Sequence, residues 1–191
     1  MSNAQRATVL IIPGLRDHVA EHWQTLLEAD LGNAHSVAPL VENALSCPAR
    51  VEAIERALAQ IDGPVILVAH SAGCLMTVHW AKAHPASAVR VRGALLVTPP
   101  DLSASWPDKY PSPQTLAVHG WTPLPRAPLP FPTLVAASSN DPLATLEAVR
   151  GMAADWDATL LELGEVGHMN PASGYGPWPM ALTLIEQLQL G

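Results

Sequence analysis

Apolar runs broken by short polar turns divide the chain. Thr8–Ile12, Val65–Ala69, Arg92–Thr98 and Thr133–Ala137 are rich in aliphatic residues over nearly their whole length. Runs this short and this uniformly apolar predict strands buried on both faces, as in a parallel sheet. Pro13-Gly14, His70-Ser71, Pro99-Pro100 and Ser138-Ser139 end them. His35–Pro39 and Thr159–Leu163 read as weaker strands. Between the strands the period changes to that of a helix. Glu21–Leu31 places Trp23, Leu26, Leu27 and Leu31 on one face. Ser46 caps a helix with Pro48 in its first turn and Val51, Ile54 and Leu58 as its stripe, down to Gln60. Ala72–His84 is a third. Asn140-Asp141-Pro142 opens a fourth, carrying Leu146, Val149 and Ala153. The last presents Leu184, Ile185 and Leu188.

About six strands alternating with helices predict an α/β protein: a three-layer α/β/α sandwich with a mainly parallel sheet, forming a single domain over residues 1–191. There is no internal repeat and no second-domain boundary. Ten of the 19 prolines fall between Pro99 and Pro132, together with Trp106, Tyr110 and Trp121. That stretch is too short for a domain and reads as an ordered excursion over the strand ends, lining one wall of any site there. Its Pro125-Arg126-Ala127-Pro128 fits a PxxP docking pattern, but it runs straight into a predicted core strand and reads better as a tethered loop.

Charge and cysteine content narrow the class. A net charge of −7 with 10 Lys+Arg disfavours nucleic acid and anionic membrane surfaces as partners. Cys47 and Cys74 make no disulfide framework, and Cys74 reads as a small core residue. Met1–Arg6 is short and polar, with no secretion signal, and no apolar run is of membrane length, so a cytoplasmic location is expected.

The candidate chemistry begins after the central strand. In Ala69-His70-Ser71-Ala72-Gly73, strand, serine and helix follow one another, as in a nucleophile elbow. Such a turn demands small residues two positions either side of the serine, which Ala69 and Gly73 provide. The ordinary alternative is that Ser71 only caps a helix. Two further polar residues follow strands, Asp141 and His168. Ser71, Asp141, His168 is the order nucleophile, acid, base. A serine hydroxyl needs a base to take its proton, and the base needs a carboxylate to fix its tautomer. Singly, Asp141 could be a helix cap and His168 a loop histidine. Asp101 competes as the acid, because it follows the strand before. Asp141 is favoured, since its strand should lie close to the one leading to His168. Ala72, directly after the serine, should supply one backbone N–H to an oxyanion.

The stretches Pro13-Gly14-Leu15, His22-Trp23-Gln24, Ala69-His70-Ser71-Ala72-Gly73, Phe131-Pro132, Ser139-Asn140-Asp141-Pro142 and Gly167-His168-Met169-Asn170 resemble the small serine hydrolase family that includes retinoblastoma-binding protein 9. The resemblance spans nearly the whole chain, including Gly174–Trp178. It implies a minimal α/β-hydrolase fold without a large cap domain, with Ser71 as nucleophile, Asp141 as acid and His168 as base. It also implies Leu15 as the second backbone donor to the oxyanion, with Arg16 the next candidate. The L-x-C-x-E partner motif of the animal protein is not reproduced: Leu45-Ser46-Cys47-Pro48-Ala49 lacks the acid, so that interaction is not carried over.

His18-Val19-Ala20-Glu21-His22 fits the H-x-x-E-H spacing of zinc peptidases, which would need both histidines on one helix. His22 reads instead as support for the loop near the site. The sharp turn should point His70 away from Ser71, and His79, His84 and His119 carry no assigned role. The sequence therefore points to a carboxylesterase acting on small acyl esters, with no metal or organic cofactor. An interaction module on a hydrolase fold with vestigial activity is the alternative, and a zinc-dependent peptidase a third; a protein partner is unknown.

Overall fold

The structure, a computed structural model, describes residues 6–190; most of the polar lead and the last residue lie outside the described residues. Six strands form one parallel sheet in the order β2-β1-β3-β4-β5-β6: β1 (Thr8–Ile12), β2 (Ala34–Ser36), β3 (Val65–His70), β4 (Val91–Val97), β5 (Thr133–Ala137) and β6 (Thr159–Glu162). The helices are α1 (Trp23–Asp30), α2 (Cys47–Ala59), α3 (Ala72–Ala83), α4 (Pro85–Ala88), α5 (Pro113–Val118), α6 (Leu146–Asp155) and α7 (Met180–Leu190). The strand order reverses between β1 and β3, so the crevice for a ligand opens beyond the carboxyl ends of those two strands.

Successive side chains of a strand point to opposite faces, and the core divides accordingly. Leu10, Leu67, Ala69, Leu96 and Val135 pack with α2, α3 and α6. Val9, Ile11, Ile66, Val68 and Leu95 pack with α1 and α7. All six residues of β3 are buried, which explains its uniformly apolar character up to His70. His70 shares the parity of Ile66 and Val68, so its ring falls on the α1 side.

The helix expected from Glu21 starts at Trp23, because the His22 side chain serves as its cap, Nδ1 accepting from the Gln24 N–H at 3.2 Å. The helix expected from Asn140-Asp141-Pro142 starts at Leu146, capped by Thr145 Oγ1, which accepts from the Ala148 N–H at 3.2 Å. Asp141 is therefore not a helix cap; it sits in the turn before, where its Oδ1 accepts from the Leu143 N–H. Within the irregular stretch lies α5, capped by Ser112.

Indole N–H groups tie that excursion down. Trp121 donates to the Leu45 carbonyl at 2.7 Å, Trp106 to that of Asp101 at 2.8 Å, and Trp156 to that of Pro125 at 3.0 Å. Trp121 is fully buried in the core and does not line the cleft, a correction to its expected place on the wall. The Pro125–Pro128 segment is held by Trp156 and by an Arg126–Asp155 ion pair, as a tethered loop.

Candidate active site

Ser71 stands between β3 and α3 at φ 56°, ψ −129°, a region costly for any residue with a side chain, of order 1–3 kcal/mol. The packing of the elbow holds it there. A Cβ on Gly73 would lie 2.2 Å from the Ile12 carbonyl oxygen and 2.8 Å from that of Pro13, so only glycine lets α3 meet the end of β1. Ala69, two residues before Ser71, fits as a fully buried side chain against α2 and α3. Among the described residues, four of the six non-glycine positions with positive φ are Asp17, Ser71, Thr98 and Met169. All four border this site.

The sheet brings Ser71, Asp141 and His168 together. Ser71 Oγ is 2.8 Å from His168 Nε2, and His168 Nδ1 is 2.8 Å from Asp141 Oδ2 and 3.0 Å from Oδ1. A carboxylate accepts, so Nδ1 carries the proton and Nε2 is free to accept from the serine. The side chains of His168 and Asp141 are 3% and 2% exposed, which keeps this relay out of bulk water. Asp101 takes no part: its Oδ1 accepts from the backbone and hydroxyl of Ser103 at 2.9 and 2.7 Å. β5 and β6 are direct neighbours, which is why Asp141, after β5, reaches His168, after β6.

Loop tethers set the histidine. Asn140 Oδ1 accepts from the Gly167 N–H at 2.6 Å, joining the loop of Asp141 to the loop of His168. Ser173 Oγ accepts from the His168 N–H at 3.0 Å. Gly167 adopts φ 59°, and a Cβ there would meet Ser173 Oγ at 2.6 Å. Below His168, His70 Nε2 donates to the His168 carbonyl at 2.8 Å, and the His22 ring packs against that of His70 at a tilt of 60°, with ring centres 4.5 Å apart. His70 does point away from Ser71, but the same turn puts it beneath His168. Adjacency to the serine in sequence was the only signal for it.

Burial, and to a lesser degree the nearby His168, push His22 down to about 4. Burial also holds His70 well below 6.5, followed by the charges of His168 and His22 and opposed by its bond to the His168 carbonyl. Both rings are neutral in the folded protein, whereas in the unfolded chain they protonate near 6.5. Below 6.5 the unfolded state thus binds more protons, and stability falls as pH falls. The loss should run from about pH 6.5 towards 4, at up to about 1.4 kcal/mol per pH unit for each ring. Urea midpoints measured between pH 7 and 5 check this. They should drop steadily, and less so in His22→Asn, which keeps a capping side chain; midpoints flat across that range would show the rings do not titrate this way.

The cleft above Ser71 holds about 180 Å³. Leu15, Val19, Pro100, Trp106, Tyr110 and Leu143 supply apolar wall. Tyr110 lies edge-on to His168 at 6.0 Å between ring centres, with Arg16 and Lys109 against its ring. His119 and Trp121 are not part of the lining. The Gly14 turn lies directly against the serine: a Cβ on Gly14 would be 3.3 Å from Ser71 Cβ. Neither the Leu15 nor the Ala72 N–H has a protein acceptor among the described residues. The zinc spacing fails on geometry, because His18 lies in a loop and His22 ends as a cap facing His70. Among the described residues no three His, Cys, Asp or Glu side chains gather into a metal-holding group, and no helix is long and apolar enough to cross a membrane.

An open parallel sheet with Ser71 at the sharp turn after its central strand, and Asp141 and His168 beyond neighbouring strands, has the architecture of an α/β-hydrolase. The chain belongs to the serine hydrolase family, whose model matches residues 9–187. It is similar in structure to a YdeN-like hydrolase of Pectobacterium atrosepticum, at 29% identity over 97% of this chain and 91% of that one, with a TM-score of 0.79. The ydeN gene product of B. subtilis shares the fold at 18% identity, covering 95% and 98% of the two chains, with a TM-score of 0.70. So does the RedJ thioesterase of the prodiginine pathway in Streptomyces coelicolor, at 17% identity, 96% and 89% coverage and a TM-score of 0.66. No curated protein matches the sequence.

Proposed function

We propose that this serine hydrolase is a carboxylesterase for small acyl esters, working through Ser71, His168 and Asp141. The observation that carries the reading is the continuous relay from Ser71 Oγ through both nitrogens of His168 to Asp141. Ser71 Oγ attacks the ester carbonyl carbon as its proton passes to His168 Nε2. The carboxylate of Asp141 keeps Nδ1 protonated and stabilises the imidazolium. Negative charge developing on the carbonyl oxygen is met by the N–H groups of Leu15 and Ala72, fixed in place before the reaction. Collapse expels the alcohol, which takes the proton from Nε2. Water, deprotonated by His168, then attacks the acyl-serine; collapse breaks the bond to Ser71 Oγ, which takes the proton back from Nε2, and the carboxylic acid leaves. Every step uses groups of the chain and water.

The cleft, at about 180 Å³, is smaller than the roughly 300–1,000 Å³ of sites for drug-sized ligands. Its outer wall is pinned by the Trp106 and Trp121 indoles and runs beside the serine. Short or aromatic acyl groups suit this space, and no lid has to open. A series of p-nitrophenyl esters assayed with a chelator present tests the reading. The expected result is highest kcat/KM for short or aromatic acyl groups and no jump in rate above the substrate's micelle concentration. A sharp interfacial rise, or a preference for long chains, would contradict it.

A further inference from the structure

The Gly14–Asp17 turn is held by a residue from the opposite side of the sequence. Arg50, on α2, is 5% exposed in a chain with few cations, and both terminal nitrogens of its guanidinium face this turn. Nη1 donates to Asp17 Oδ1 at 2.5 Å, and Nη2 reaches Oδ2 at 3.3 Å and the Leu15 carbonyl at 3.4 Å. Nε donates to the Ala44 carbonyl at 2.8 Å. Asp17 stands at φ 52°, and from there its N–H donates to the Gly14 carbonyl at 3.0 Å.

The last bond has a geometric consequence. The Gly14 carbonyl and the Leu15 N–H belong to one planar trans peptide and point in opposite directions. Fixing the carbonyl towards Asp17 therefore fixes the N–H away from it. The following peptide is fixed too, because Arg50 holds its carbonyl at Leu15. A buried ion pair adds little to stability compared with an apolar pair of the same volume. What the planar guanidinium offers is direction: several acceptors held at set angles from a rigid helix.

We propose that Arg50 and Asp17 are positioning residues that aim the Leu15 N–H at the oxyanion. The inference rests on the reading of Leu15 as an oxyanion donor. Losing the pair should leave substrate binding nearly intact and weaken what the site does for the tetrahedral state. A misplacement of about 1 Å can cost on the order of 100-fold in rate.

The test uses three variants, Arg50→Lys, Asp17→Asn and the double Arg50→Gln/Asp17→Asn, which strands no buried charge, each checked for folding by circular dichroism. Steady-state kinetics on a short p-nitrophenyl ester are paired with inhibition by an aryl trifluoromethyl ketone. Ser71 Oγ adds to that ketone's carbonyl carbon and its proton passes to His168, leaving a hemiketal oxyanion on the same donors. In the double variant kcat should fall on the order of 10- to 100-fold with KM little changed, and ketone affinity should fall by a matching factor. Arg50→Lys, which keeps the charge but not the fork, should lie between it and the parent. A folded variant with parental kcat would overturn the proposal, as would a fall in kcat with ketone affinity unmoved. Absence of any hemiketal in the parent protein would instead overturn the reading of the site itself. Should the double variant not fold, Arg50→Lys alone decides by the same paired readout.

Discussion

Ser71→Ala is expected to lower the rate of ester hydrolysis at least about a thousandfold, the scale set by removal of the nucleophile in serine hydrolases. The serine has no structural duty large enough to confuse the result. Its side chain makes no capping bond to α3, and its contact is with His168 Nε2. Loss of a hydroxyl there leaves the elbow's packing, set by Gly73 against Ile12 and Pro13, unchanged. The rate on a p-nitrophenyl ester and a circular dichroism spectrum, measured together, check the expectation. A folded variant that hydrolyses the ester near the parental rate would remove Ser71 from the chemistry.

The two carboxylates should separate just as sharply. Asp141→Asn keeps the shape of the side chain but can no longer hold a proton on His168 Nδ1 as an anion does. In serine proteases the same replacement costs about ten-thousandfold, and a loss approaching that is expected here. Asp101→Asn should cost little, because Asp101 serves Ser103 and the turn that opens the excursion. Both variants should remain folded by circular dichroism. The reverse ranking would move the acid to Asp101, and two equal small losses would mean that neither orients the base.

Much of this arrangement is legible in the sequence, for a physical reason. Strands buried on both faces must be apolar throughout, so β1, β3, β4 and β5 stand out, while β2 and β6 at the sheet edges leave weaker traces. Residues that follow the strands of a parallel sheet sit on one edge of it, which is why Ser71 after β3, Asp141 after β5 and His168 after the weaker β6 belong together on sequence order alone. α6 starts later than expected because Asn140-Asp141-Pro142 carries the chemistry of a helix start, whereas Thr145 supplies the cap. The six residues of α5 are too few for a periodic pattern and begin with proline. Trp121 reads as a wall residue from its neighbours, yet its large apolar ring is buried in the core, where the Leu45 carbonyl satisfies its N–H. The Arg50–Asp17 pair lay beyond sequence reasoning: 33 positions separate the two residues, and nothing local to either marks it.

Labelling with an active-site fluorophosphonate, followed by intact mass and peptide mapping, tests the central claim most directly. The native protein should gain one phosphonyl group, on the peptide carrying Ser71, and lose esterase activity in proportion, while Ser71→Ala should gain none. Labelling at another residue, or equal labelling of Ser71→Ala, would contradict the assignment of Ser71 as the nucleophile.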